Sequence, residues 1–141
     1  EFTYTNTFGE WSGKAAGGSS GKECLQINVK DNSAFGSFVQ IPAVDGTIEK
    51  IEVTIREPYK GRAIGIFPVG YTYTKDTLDK MKEQLAKDAI AISNETPSDV
   101  NNNEPFTFVI DNLSAKNLTQ FSIFPTLGAV SITAITVTYS K

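Results

Sequence analysis

Two tyrosines, Tyr71 and Tyr73, stand one residue apart in the run Gly70-Tyr71-Thr72-Tyr73-Thr74. In extended backbone, residues i and i+2 share a face at a spacing of roughly 6.6–7 Å. Rings so placed could stack on the apolar C–H faces of neighbouring pyranose rings while the sugar hydroxyls stay in water. The alternative is that both rings cover a sheet edge or pack on a helix. Trp11 lies within the Gly- and Ser-rich stretch 9–21. It reads either as a platform on a loop or as a plug closing one end of the fold, and its indole N–H needs an acceptor in either place. Tyr59 follows Pro58 at a break between strands. It is a third candidate wall, against the reading that it is a turn residue lying on the sheet. Gln26, Asn28 and Gln40, with Arg62, occupy polar positions opposite apolar ones. On a concave sheet face they could hydrogen-bond hydroxyl groups, and Arg62 would add a stacking plane. The competing reading is a solvated face of the kind antiparallel sheets routinely present.

Other constellations are less specific. Asp99, Asn101, Asn103 and Glu104 make an oxygen-rich loop, with Asp31 and Asp45 as further carboxylates. Calcium takes about six to eight oxygens, and here the central glycine and the distal bidentate Glu of a calcium loop are not in place. A structural calcium is one reading and a plain polar loop the other; no other cofactor is expected. A glycosidase would need two carboxylates about 5–9.5 Å apart. Glu52, Glu57 and Asp111 lie on or near strands, but surface charge accounts for them equally well. Residues 17–22, Gly-Gly-Ser-Ser-Gly-Lys, lack the spacing and the strand-to-helix setting of a phosphate loop. Asn94-Glu95-Thr96 and Asn117-Leu118-Thr119 match the N-glycosylation pattern, which matters only in a eukaryotic host.

Composition narrows the chemistry further. The chain contains no histidine and one cysteine, Cys24. The histidine-based nucleophilic triads and most zinc and copper sites are thereby removed, as is an internal disulfide. The 13 basic residues are scattered and the net charge is -3, so no stripe exists to neutralise a row of phosphates and nucleic acid is not an expected partner. No apolar run approaches the length of a membrane span. The first residue is Glu, which fits a mature product or an excised module.

The elements that must position these residues are mainly strands. Phe2–Phe8 alternates apolar and polar residues, as a half-buried strand does. Residues 24–29, 35–41, 47–55 and 62–69 read as further strands, the last extended as far as Thr74. Asp45-Gly46 reads as a hairpin-type turn and Lys30–Ser33 as another turn. Leu78, Met81 and Leu85 form a helical stripe within Thr77–Ala89, with Thr77 or Asp76 as cap. Extended structure resumes over 89–93, 106–111, 118–124 and 129–139. In the last of these, Val130 and Ile132 fall in one phase and Ile135, Val137 and Tyr139 in the other, which predicts a β-bulge near Thr133-Ala134. A pairing of this strand with the first would bring the termini together. The fold class expected is all-β: one two-sheet antiparallel sandwich over residues 1–141, jelly-roll-like, with one short inserted helix near 77–89.

Three pieces carry a resemblance: the early Gly9-Glu10-Trp11, the middle strand 47–55 and the closing strand 128–139. Together they resemble the jelly-roll, galactose-binding-like carbohydrate-binding modules attached to secreted polysaccharide-degrading enzymes and surface proteins of gut and rumen bacteria. The resemblance implies a β-sandwich, a secreted or cell-surface location and a non-catalytic, glycan-binding role. It transfers no site motif to particular residues, and the helix at 77–89 departs from it.

The leading expectation is therefore a monomeric, non-catalytic polysaccharide-binding module within a larger secreted bacterial protein. Tyr71, Tyr73 and Trp11 would stack on the sugar while Arg62 and nearby amides orient its hydroxyls. The second expectation is a spacer or protein-interaction sandwich with no small ligand. Outward-facing coplanar tyrosines favour the first; buried tyrosines favour the second.

Overall fold

The computed structural model describes residues 2–6, 9–14, 25–29 and 38–141. Among the described residues ten strands form two antiparallel sheets. They are β1 (Phe2–Asn6), β2 (Gly9–Lys14), β3 (Leu25–Ile27), β4 (Phe38–Gln40), β5 (Thr47–Arg56), β6 (Ile64–Phe67), β7 (Ala91–Ile92), β8 (Phe106–Ile110), β9 (Ser122–Pro125) and β10 (Val130–Ser140). A six-stranded sheet runs β1-β2-β4-β9-β6-β7, and a four-stranded sheet runs β3-β10-β5-β8. The expected all-β sandwich with one helix is what the chain forms.

The core between the sheets follows from period-2 alternation. Ile51, Val53 and Ile55 of β5, Phe108 and Ile110 of β8, and Val130 and Ile132 of β10 point inward from the four-stranded sheet. Val39, Ile64, Ile66 and Ile123 meet them from the other sheet. The predicted bulge is present. β10 pairs Ile132 with Ile55 and then Ala134 with Thr54, so Thr133 is the extra residue. The slip turns Ile135 and Val137 back toward the core, where they pack at its margin. A second slip falls at Thr138/Tyr139, where Tyr139 pairs with Ile48. It lets Ile48 and Ile51, three residues apart, both be buried. The extra carbonyl, that of Glu49, accepts a hydrogen bond from Leu113 N at 2.9 Å.

The neighbouring strands β6 and β9 of the six-stranded sheet are buried on both faces, every residue of each being buried. Phe67 and Phe124 point away from the sandwich core into a second cluster with Val29, Tyr73, Met81 and Leu85. That cluster lies under helix α1 (Leu78–Asp88). Thr77 caps the helix by accepting from Lys80 N at 3.3 Å, and Asp79 in the first turn and Lys87 in the last suit the helix dipole. Met81 and Leu85 are buried, each worth roughly 1.5–3 kcal/mol of apolar burial. Leu78, the third member of the stripe, remains 39% exposed.

Three expectations are corrected. Residues 9–14 are a strand, not a loop, because their backbone pairs with β1 from Phe2↔Gly13 to Asn6↔Gly9. β10 pairs with β3 and β5 rather than with β1, which lies in the other sheet, so the proposed pairing of first and last strands does not form. Asp45-Gly46 is not a hairpin turn, since β4 and β5 belong to different sheets and the segment between them crosses the sandwich. Gly46 is required there by close approach: a Cβ would collide with the Ser140 carbonyl. The Lys30–Ser33 turn lies outside the described residues.

Candidate functional site

The tyrosine pair does not form an exposed platform. The strand expected to carry it ends at Phe67, and Pro68–Tyr71 is a turn closed by Tyr71 N donating to Pro68 O at 3.0 Å. Gly70, with φ +87°, supplies the conformation that a type II turn needs at its third residue. The turn folds both rings back over the six-stranded sheet. Tyr73 is 6% exposed, and its hydroxyl donates to the Val29 carbonyl at 2.6 Å. Tyr71 stacks on Phe67 with ring centroids 4.6 Å apart and meets Phe124 edge-on at 5.4 Å. Its hydroxyl donates to Asp88 Oδ2 at 2.8 Å. Burial, and then the Asp88 carboxylate accepting its proton, raise the pKa of Tyr71 well above that of a free phenol. The two rings, 6.3 Å apart and tilted by 31°, tie the helix to the sheet. The packing alternative is the one realised.

The polar set is dispersed. Gln26 on β3 is half-buried on the outer face of the four-stranded sheet, beside Ser131. Gln40 on β4 shares the face of Phe38, on the helix side of the other sheet. Asn28 lies just past β3, half-buried. No single concave face holds Gln26, Gln40 and Arg62. Trp11 sits on β2 opposite Tyr4 rather than in a loop; where its ring points lies outside the described residues.

Tyr59 and Arg62 are brought together. After β5 the chain enters a loop in which Glu57 and Gly61 take left-handed backbone, with φ of 48° and 66°. Between them Tyr59 is 62% exposed. The loop is stitched to the segment after β7. Thr96 Oγ1 donates to Tyr59 O at 2.6 Å and accepts from Arg62 N at 2.8 Å. Thr96 N donates to Arg62 O at 2.8 Å, Gly61 N to Thr96 O at 3.3 Å, and Asn102 Nδ2 to Pro58 O at 3.3 Å. Thr96 itself is 3% exposed. The Arg62 guanidinium is held by Nε donating to Ala129 O at 3.0 Å and Nη1 to Lys60 O at 3.4 Å. Its carbon lies 5.9 Å from the Tyr59 ring centroid, within cation–π range. Gly128 makes room for it: a Cβ there would sit 2.8 Å from the guanidinium carbon. The result is an exposed aromatic face beside a fixed cation, on a loop whose backbone is hydrogen-bonded to its neighbour. Thr96, Asn102 and Gly128 carried no signal of this role in the sequence beyond Thr96 completing a glycosylation pattern.

The remaining candidates are ordinary surface groups. Glu52 pairs with Lys50 at 3.5 Å, Glu57 with Arg56 at 3.8 Å and Asp45 with Lys141 at 3.8 Å. Asp111 accepts from Asn112 at 3.1 Å. In the oxygen-rich loop Asn101 Oδ1 accepts from Asn103 N at 2.9 Å, a local turn. Among the described residues no cluster of three or more His, Cys, Asp or Glu could hold a metal ion, and Asp31 lies outside them. No described helix is long and apolar enough to cross a membrane. Comparison of the chain with protein-family models, with curated proteins and with solved structures finds no match in any of the three.

Proposed function

We propose that this chain is a non-catalytic saccharide-binding β-sandwich, working in a secreted or cell-surface bacterial protein, and that it meets its ligand at the Tyr59–Arg62 loop. The observation that supports this reading is the Tyr59 ring, 62% exposed on a loop held by backbone hydrogen bonds, with the Arg62 guanidinium beside it. An aromatic face so presented can take the C–H face of a pyranose, and the guanidinium can donate to its ring substituents. The loop is already ordered by Thr96, so little freedom is lost on binding. One stacking ring and one cation support an affinity of about micromolar to millimolar. The extracellular setting rests on the composition and on the resemblance of the strands to carbohydrate-binding modules.

A second reading, a spacer or protein-interaction domain without a small ligand, draws support from the burial of Tyr73 and the half-burial of Tyr71. Native affinity electrophoresis through gels containing plant, algal and host polysaccharides separates the two. The expected outcome is retardation by at least one glycan, lost in Tyr59→Ala and kept in Tyr71→Phe. No retardation on any gel would favour the spacer reading, and equal loss in both variants would place the contact elsewhere.

A further inference from the structure

Among the described residues the charge of Arg62 has no counter-ion. The described ion pairs are Lys50–Glu52, Arg56–Glu57 and Lys141–Asp45, and Arg62 is in none of them. Its partners are instead two backbone carbonyls and an aromatic ring. These orient the guanidinium without neutralising it. A carboxylate would add to this half-buried guanidinium the opposite charge that backbone carbonyls do not supply. Here Nε and Nη1 each donate to a backbone carbonyl, and no described hydrogen bond involves Nη2. Gly128, lacking a Cβ, leaves the space that the guanidinium occupies.

Resting on the saccharide reading, we propose that the ligand at this loop is an acidic sugar, a uronate whose ring lies on Tyr59 and whose carboxylate takes the outer edge of Arg62. A carboxylate on C5 of a pyranose lies to the side of the stacked ring, which is where a cation beside the aromatic face would meet it. The net charge of the chain is -3, so a polyanion is repelled by the molecule as a whole and retention by one requires a local cation.

The test compares polygalacturonate with the same polymer after reduction of its carboxyl groups, in affinity gels, with poly-glutamate as a polyanion lacking sugar rings. The expected result is retention by polygalacturonate alone, weakened about tenfold or more by Arg62→Gln and by carboxyl reduction. Equal retention by the reduced polymer would overturn the uronate assignment while leaving saccharide binding intact. Equal retention by poly-glutamate would also overturn it. No retention by polygalacturonate, beside retention by a neutral glycan of the wider panel, would overturn the uronate assignment alone; no retention by any glycan would remove both readings. If Arg62→Gln does not fold, the wild-type protein decides. Polygalacturonate binding that falls with rising salt, beside an uncharged polymer that does not bind, upholds the assignment; salt-insensitive binding overturns it.

Discussion

At the scale of single residues, the site depends less on the exposed ring than on the buried hydroxyl beneath it. Thr96 Oγ1 satisfies both the Tyr59 carbonyl and the Arg62 amide. Thr96→Val keeps the shape and leaves both groups unpaired, which should cost about 1–3 kcal/mol in urea denaturation and weaken glycan retention. Tyr59→Ala removes only an exposed ring and should change stability by no more than about 0.5 kcal/mol. The two variants thus separate loop order from ligand contact. Tyr71 carries a pH signature. Its pKa is raised by burial and by Asp88, so the folded state keeps the proton that the unfolded chain releases near pH 10. The unfolded state then binds fewer protons, and stability is fully present below that pH and is lost as pH rises through the alkaline range. Alkaline unfolding followed by circular dichroism should be less steep in Tyr71→Phe. Tyr59 and Arg62 were legible as candidates from Pro58 and the polar strand position. That Thr96, 34 residues from Arg62 in sequence, would hold them was not, because no local pattern encodes such a contact.

At the scale of elements, the helix shows which local signals survive. Its start, its cap and two of its three stripe residues were readable, since Thr77, Met81 and Leu85 act within one turn or one face. Its consequence for the tyrosines was not, because Tyr71 and Tyr73 are drawn out of strand geometry by the Pro68–Tyr71 turn and by packing under the helix. Packing should outweigh capping in holding α1. Leu85→Ala is expected to destabilise by about 2–5 kcal/mol, and Thr77→Ala by only about 0.5–2 kcal/mol. Chemical denaturation of the two variants checks the order, and comparable losses would mean that the helix is held by its own propensity. The bulge at Thr133 was legible for a different reason: a one-residue slip reverses every later side chain, and the apolar pattern of β10 records that reversal.

At the scale of the whole molecule, the architecture is three layers: the four-stranded sheet, the six-stranded sheet, and the helix with its aromatic cluster. β5 lies between β10 and β8 and contributes Ile48, Ile51, Val53 and Ile55 to the core. Hydrogen exchange should therefore be slowest at its amides and faster in β7, a two-residue strand at the edge of the six-stranded sheet. Protection of β7 equal to that of β5 would mean that the sheets open only together. By itself the sequence determined the all-β class, the helix, the bulge and the composition that withholds histidine chemistry. Each of these is written in periodicities of two or 3.6 residues, or in residue counts, and both are local properties of the chain. Tertiary structure alone decided which sheet each strand joins, that Gly9–Lys14 is paired, that the tyrosine pair faces inward, and that Tyr59 and Arg62 meet over Thr96 and Gly128. Those outcomes depend on contacts between segments distant in sequence, where burial and hydrogen-bond satisfaction across the whole fold outweigh any local preference.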